Sequence, residues 1–142
     1  MARIKIDLPE KFSFSVPIPI RIADINYGGH VGNDAILSLV HEARMQYLKQ
    51  FGYTELELSG IGLIMADAGI EFKNELFYGE TVIVSVACGS FTKVGFDIFY
   101  KMEKEINSSK KIVAVAKTGM VGYDYTNKKI AAIPGEVIRK IQ

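Results

Sequence analysis

Cysteine, histidine, net charge and long apolar runs are all scarce in this chain, and each scarcity excludes something. The single Cys88 cannot form an intramolecular disulfide, and a domain of 142 residues buries enough surface to fold without one. Cys88 lies in an apolar stretch with no histidine beside it and reads as a small core residue. The two histidines, His30 and His41, make no cluster with metal-ligand spacing, so no metal is expected. No serine stands in a nucleophile-elbow pattern. A formal net charge of +1 leaves no broad field for nucleic acid or an anionic membrane surface. The Lys110–Lys111 and Lys128–Lys129 pairs read as solvated turns. No apolar run is long enough to span a bilayer. Met1 to Pro9 lacks the continuous apolar core of a secretory signal, which sets the expectation of a cytoplasmic protein. Repeats, low-complexity tracts and linkers are absent, so residues 1–142 are expected to form one domain.

Polar groups are concentrated instead in one stretch, Arg21 to Arg44, which reads RIADINYGGHVGNDAILSLVHEAR. Asn26, Gly28, Gly29, His30, Gly32 and Asn33 fall within eight residues there, two beyond Asp24. A helical pattern follows, expected from near Asn33 to about Phe51. Gly32 or Asn33 would be its N-cap, Asp34 would complement the positive end of its dipole, and Gly52 would be its C-cap. A glycine-bent loop entering a helix gathers side chains and free N–H groups at one point, as a site for a polarised carbonyl needs. The first half of the helix is apolar around most of its circumference, which predicts that a curved sheet encloses it on several sides.

The flanking segments read as strands. Phe12 to Ile22 is rich in Phe, Val and Ile, and Pro17 and Pro19 assign it to an edge or a bulge. Thr54 to Ser59 reads as a short helical turn or loop. Ile61 to Phe72, Thr81 to Ser90, Val94 to Glu103 and Ile112 to Tyr125 are rich in β-branched or aromatic residues and bounded by turn signals. Glu105 to Lys110 and Tyr125 to Lys129 are expected hairpin turns, and Pro134 precedes a short final helix, Gly135 to Ile141. Strand, long helix and four successive strands predict an α+β fold with an antiparallel five-stranded sheet wrapped around one long central helix.

The residues Asp24, Asn26, Gly29, His30, Val31, Gly32 and Asn33, followed by Glu42-Ala43-Arg44, resemble a family motif. They are similar to the loop and helix of hotdog-fold thioesterases of the 4-hydroxybenzoyl-CoA thioesterase type. In that family an Asp-x-Asp-x-x-Gly-His-Val-Asn-Asn run precedes the helix. Ile70-Glu71-Phe72 through Leu76, Tyr78-Gly79-Glu80, and Tyr123-Asp124 through Ile133-Pro134, resemble its later segments. The resemblance implies the hotdog fold and hydrolysis of an acyl-CoA or acyl-carrier-protein thioester. It also implies a homodimer or homotetramer with sites at subunit interfaces, and no cofactor beyond the coenzyme A of the substrate.

Asn26 occupies the position of the family's second Asp, its usual catalytic carboxylate. A carboxamide cannot be a general base, though it can hold a water or donate to an oxyanion. Asp24, Asp34 and Glu42 are the candidate replacements, with Asp67 as one that a partner chain could bring. Asn26 and His30 would position the water or the carbonyl. Gly28 and Gly29 would let substrate approach, and the amides near Val31, Gly32 and Asn33 would hold the oxyanion. Two further readings remain open on the same fold. One is an enoyl-CoA hydratase or dehydratase using Asp24 and His30; the other is a non-catalytic acyl-thioester binder.

Overall fold

A computed structural model describes every residue from Met1 to Gln142. The chain runs β1 (Phe14–Pro19), α1 (Asn33–Lys49), β2 (Gly62–Phe72), β3 (Thr81–Gly89), β4 (Gly95–Ile106), β5 (Ser109–Asp124), β6 (Lys129–Ile130) and α2 (Gly135–Ile141), with a single 3₁₀ turn at Ile22–Asp24. All pairings are antiparallel, and the sheet order is β1-β3-β4-β5-β2, with β6 on β5. The sheet therefore has six strands rather than five, the sixth being a two-residue pairing of Tyr123 with Ile130 and Asp124 with Lys129.

Pro17 and Pro19 sit opposite Ile83 and Thr81 in β1, which pairs only with β3. An edge strand needs donors on one side alone, so the missing N–H groups are tolerated. The β4–β5 ladder runs to Ile106 and Ser109 at its tip. Asn107 and Ser108 both have positive φ (51° and 68°), the geometry of a tight two-residue hairpin turn. The expected turn at Glu105 to Lys110 is thus shorter, and Lys110 and Lys111 are exposed residues of β5. Thr54 to Ser59 holds no helix; isolated bridges pair Thr54 with Glu57 and Leu58 with Ile61.

Alternation builds the sheet's inner face. Phe96, Ile98, Tyr100 and Met102 of β4 are buried, as are Val82, Val84 and Val86 of β3. Helix α1 presents Ile36, Leu39, Val40, Ala43, Arg44, Tyr47 and Leu48, the i, i+3, i+4 stripe of an amphipathic helix. All of these side chains but Arg44 join the sheet in one core of 28 buried residues. Within the chain the helix is covered along this one stripe, and Leu37 on its other side is 43% exposed. The expectation of enclosure on several sides is corrected accordingly. The apolar residues of its first half do not all face one layer. Gly52, at φ +80°, ends the helix in the left-handed conformation, with the Tyr53 N–H reaching back to the Leu48 carbonyl at 3.0 Å. No helix is long and apolar enough to cross a membrane.

A buried polar network ties α1 to the sheet. The Arg44 Nε donates to Glu55 at 2.9 Å and its Nη1 to the Tyr100 hydroxyl at 3.2 Å. That hydroxyl also meets Thr118 Oγ1 at 2.9 Å. Burial opposes the Arg44 charge, but Tyr100 and Glu55 outweigh it and hold the guanidinium pKa above its ordinary value. His41 closes the outer side of Glu55 at 3.1 Å.

Candidate active site

The loop between β1 and α1 is closed on itself by backbone bonds. Ile25 and Val31 form a bridge, Asn26 N–H bonds to the His30 carbonyl at 3.0 Å, and Gly29 N–H bonds to the Asn26 carbonyl at 3.1 Å. Gly29 has φ +83°, a conformation that favours glycine. Tyr27 stands fully exposed at the tip.

Asp24 is buried at the wall of a cleft beside β1. Its Oδ2 accepts the Arg21 N–H at 2.8 Å, and its backbone carbonyl accepts the Gly32 N–H at 3.3 Å. It fastens the 3₁₀ turn to the start of the helix. Asn26 Oδ1 accepts the Gly28 N–H at 2.8 Å in an Asx-type turn, which leaves Nδ2 as its free end. That Nδ2 lies beside Gly32, where a Cβ would come within 3.2 Å of it and within 2.7 Å of Asp34 Oδ1. Asn26 and Asp34 therefore converge over a residue with no side chain. On the other side of the loop, a Cβ on Gly28 would lie 3.2 Å from Asn26 Oδ1 and 3.5 Å from His30 Nε2. The Nδ1 of His30 is 3.0 Å from the Val31 carbonyl, an acceptor, so Nδ1 is the donor there and Nε2 is the ring's free polar atom.

The amides divide differently from the sequence expectation. Val31 N–H is taken by the Leu76 carbonyl at 2.8 Å and Gly32 N–H by Asp24. Ile36 N–H makes the first intrahelical bond, to Gly32 at 3.2 Å. The amides of Asn33, Asp34 and Ala35 have no acceptor within the chain, and they are the orphan donors of the first helical turn. Of the three residues expected to supply oxyanion donors, only Asn33 has a free amide.

Two other candidates lie elsewhere. Glu42 is exposed, accepts a bond from Gln46 at 2.9 Å, and sits two turns along the helix, about 12 Å from its tip. Glu42 and Asp24 line a cleft of about 360 Å³ beside β1 and the middle of α1. Asp67 sits at a bulge of β2, bound to Lys117 Nζ at 2.9 and 3.1 Å and to Gly119 N–H at 3.0 Å. The Lys117 bond, with smaller help from the Gly119 amide, holds its carboxyl below the ordinary carboxylate value. The chain brings neither Glu42 nor Asp67 to the helix tip. Cys88 packs half-buried against the core, and burial pushes its thiol up to about 12.

Sequence reasoning missed Lys104. It occupies an inward position of β4, in step with Phe96 through Met102, and is 6% exposed. Its Nζ donates to the Glu75 carbonyl at 2.6 Å and to Glu80 at 3.1 Å. It thus pins the segment whose Leu76 carbonyl holds Val31. The signal was available: a lysine on the apolar parity of an alternating strand.

An antiparallel sheet packed on a long helix is the hotdog fold. Residues 20–141 match the thioesterase-like superfamily, and the chain belongs to it. A protein of Aquifex aeolicus (strain VF5) named "Putative esterase" is 29% identical over 103 residues, 71% of this chain and 76% of that one. A 4-hydroxybenzoyl-CoA thioesterase variant complexed with 4-hydroxybenzoyl CoA superposes with a TM-score of 0.82 at 14% identity, over 91% of this chain and 98% of that one. The 1,4-dihydroxy-2-naphthoyl-CoA thioesterase from Synechocystis gives 0.78 at 19%, over 90% and 93%. At these identities the structural likeness concerns the fold.

Proposed function

We propose that this protein hydrolyses an acyl-CoA thioester at the tip of α1, with Asp34 as the general base. The observation that carries this reading is the convergence of Asp34 Oδ1 and Asn26 Nδ2 over Gly32, beside amides with no partner. Asp34 takes a proton from water as that water attacks the thioester carbonyl. Asn26 Nδ2 and His30 Nε2 hold the water. The free amides of the first helical turn receive the negative charge that grows on the carbonyl oxygen. Collapse of the tetrahedral intermediate breaks the C–S bond, and the departing thiolate takes a proton from Asp34. The products are the free acid and coenzyme A.

Membership of the thioesterase-like superfamily supports the reaction class, and the CoA substrates named for the structural relatives support the thiol. We assign the assembly to a homodimer paired along β2. That strand is a sheet edge of 11 residues with no proline, an open template for a second copy. Asp67 lies midway along it. Sedimentation of the protein at micromolar concentration checks this, and a monomer would remove it.

Thiol release from a panel of acyl-CoAs tests the chemistry. Wild-type protein turns over, and Asp34→Asn loses roughly 10²–10⁴-fold in kcat, the usual contribution of a general base. Folded protein that binds acyl-CoA without releasing thiol would instead be a thioester binder. Loss of enoyl absorbance from an enoyl-CoA would point to hydration.

A further inference from the structure

The turn from Glu75 to Glu80, between β2 and β3, holds both ends of the candidate active-site loop. At the loop's entry the Ile20 N–H donates to the Glu80 carbonyl at 2.9 Å. At its exit the Val31 N–H donates to the Leu76 carbonyl at 2.8 Å. Asn26 lies between these two points, and Asp34 follows the second by three residues. Where the turn stands therefore sets where the loop stands against the tip of α1.

The turn has little apolar surface with which to hold itself, since Leu76 is its only buried residue. Its anchor comes from β4. The buried Lys104 Nζ donates to the Glu75 carbonyl at 2.6 Å and to Glu80 Oε1 at 3.1 Å, and it lies 5.2 Å from the centre of the Phe77 ring. Glu80 Oε1 also accepts the Phe77 N–H at 2.7 Å. One ammonium thus meets the turn at its start, its middle and its end. A buried ammonium is costly without such partners, and an inward position of β4 would otherwise take an apolar side chain.

We propose that Lys104 is a positioning residue for the reaction at the helix tip: with Glu80 it fixes the turn, and the turn fixes the loop that carries Asn26. Lys104 touches no reacting group. It acts through the Leu76 and Glu80 carbonyls, which hold Val31 and Ile20. The inference rests on the hydrolytic reading of that tip. A lysine that served only the fold would lower the melting temperature and leave the kcat of folded protein alone. A lysine that places the loop lowers kcat in protein that is still folded, because orientation is lost at the reacting groups.

The test uses the full chain, with acyl-CoA hydrolysis and amide hydrogen exchange as its two readouts. Lys104→Met keeps the length of the side chain and removes its donors. Folded Lys104→Met is expected to lose on the order of 10- to 100-fold in kcat, with KM within about twofold. The Ile20 and Val31 amides are expected to exchange at least about tenfold faster, and the Val40 amide in the middle of α1 at its wild-type rate. Glu80→Gln keeps an oxygen acceptor and is expected to hold kcat within about threefold, whereas Glu80→Ala falls with Lys104→Met and the double variant falls no further. Tyr100→Phe controls for stability, since it weakens a network elsewhere in the core and should leave kcat unchanged. If Lys104→Met does not fold, the two Glu80 variants carry the same test, because that side chain is 32% exposed. Wild-type kcat in folded Lys104→Met or Glu80→Ala, or unchanged exchange at Ile20 and Val31, overturns the inference and leaves the hydrolytic reading standing. Wild-type protein that releases no thiol overturns the hydrolytic reading, and faster exchange in Lys104→Met then still upholds the lysine as the anchor of the loop.

Discussion

Asn26 and Asp34 meet across Gly32: a methyl group there would touch the carboxamide of one at 3.2 Å and the carboxylate of the other at 2.7 Å. Neither side chain has another residue's side chain as a hydrogen-bonding partner; Asn26 bonds only the Gly28 backbone. Eight residues apart in sequence, they face one another because the loop closes at Ile25 and Val31 before the helix starts.

Replacement of Gly32 by Ala tests that convergence. Gly32 has φ −73°, so alanine introduces no backbone strain, and the two nearest atoms it meets are the ends of side chains. Stability is expected to change by no more than about 0.5 kcal/mol. Displacing both groups by a fraction of an ångström is expected to lower kcat on the order of 10- to 100-fold. Paired thermal melts and acyl-CoA kinetics check both halves.

Asn26→Asp would set two carboxylates on either side of Gly32. Like charges so close do not both ionise readily, and the pair holds a proton to higher pH than one carboxylate does. Hydrolysis at neutral pH is expected to fall, with the acid limb of the pH–rate profile moving upward. A large gain in rate with an unmoved limb would show that the natural arrangement does not work through Asp34.

Tyr100→Phe removes one hydroxyl from the buried network. Arg44 Nη1 and Thr118 Oγ1 each lose the partner found at 3.2 and 2.9 Å. The expected cost is about 1–3 kcal/mol, the penalty for leaving buried polar groups unpaired. Chemical denaturation measures it, and the site at the helix tip should keep its KM.

Asp67 gives a prediction with a definite sign. Lys117 and the Gly119 amide hold its folded-state pKa below the unfolded value of about 3.9. A depressed carboxylate contributes stability that is present above the unfolded value and lost as pH falls through the folded one. Asp67→Asn is therefore expected to flatten the loss of stability below about pH 4 and to leave the neutral region nearly unchanged. The side chain is 63% exposed, so solvent screens the pair and the effect is small. Denaturation midpoints from pH 2 to 7 check it.

Several features of this protein were legible in the chain alone, and they share a cause. Pro17 and Pro19 announced an edge strand, because a residue without an N–H cannot serve two neighbours. Of the two N-cap candidates Gly32 takes the position, and Gly52 with positive φ follows the other end of α1, each through its own backbone preference. The Asx turn of Asn26 spans only two residues. Each is a short-range interaction, decided by residues within a few positions of one another.

The remainder needed the folded chain, because its partners are far apart in sequence. Arg44 reaches Tyr100 across 56 positions, and Lys104 reaches Glu75 across 29. Occupation of the Val31 amide by Leu76 and of the Gly32 amide by Asp24 left Asn33, Asp34 and Ala35 as the free donors, two residues further along than expected. The buried stripe of α1 was likewise settled by which face met the sheet, not by how apolar its first half is. Composition and periodicity determined what each segment prefers to be. Packing determined which of several plausible carboxylates stands beside Asn26, and it chose Asp34.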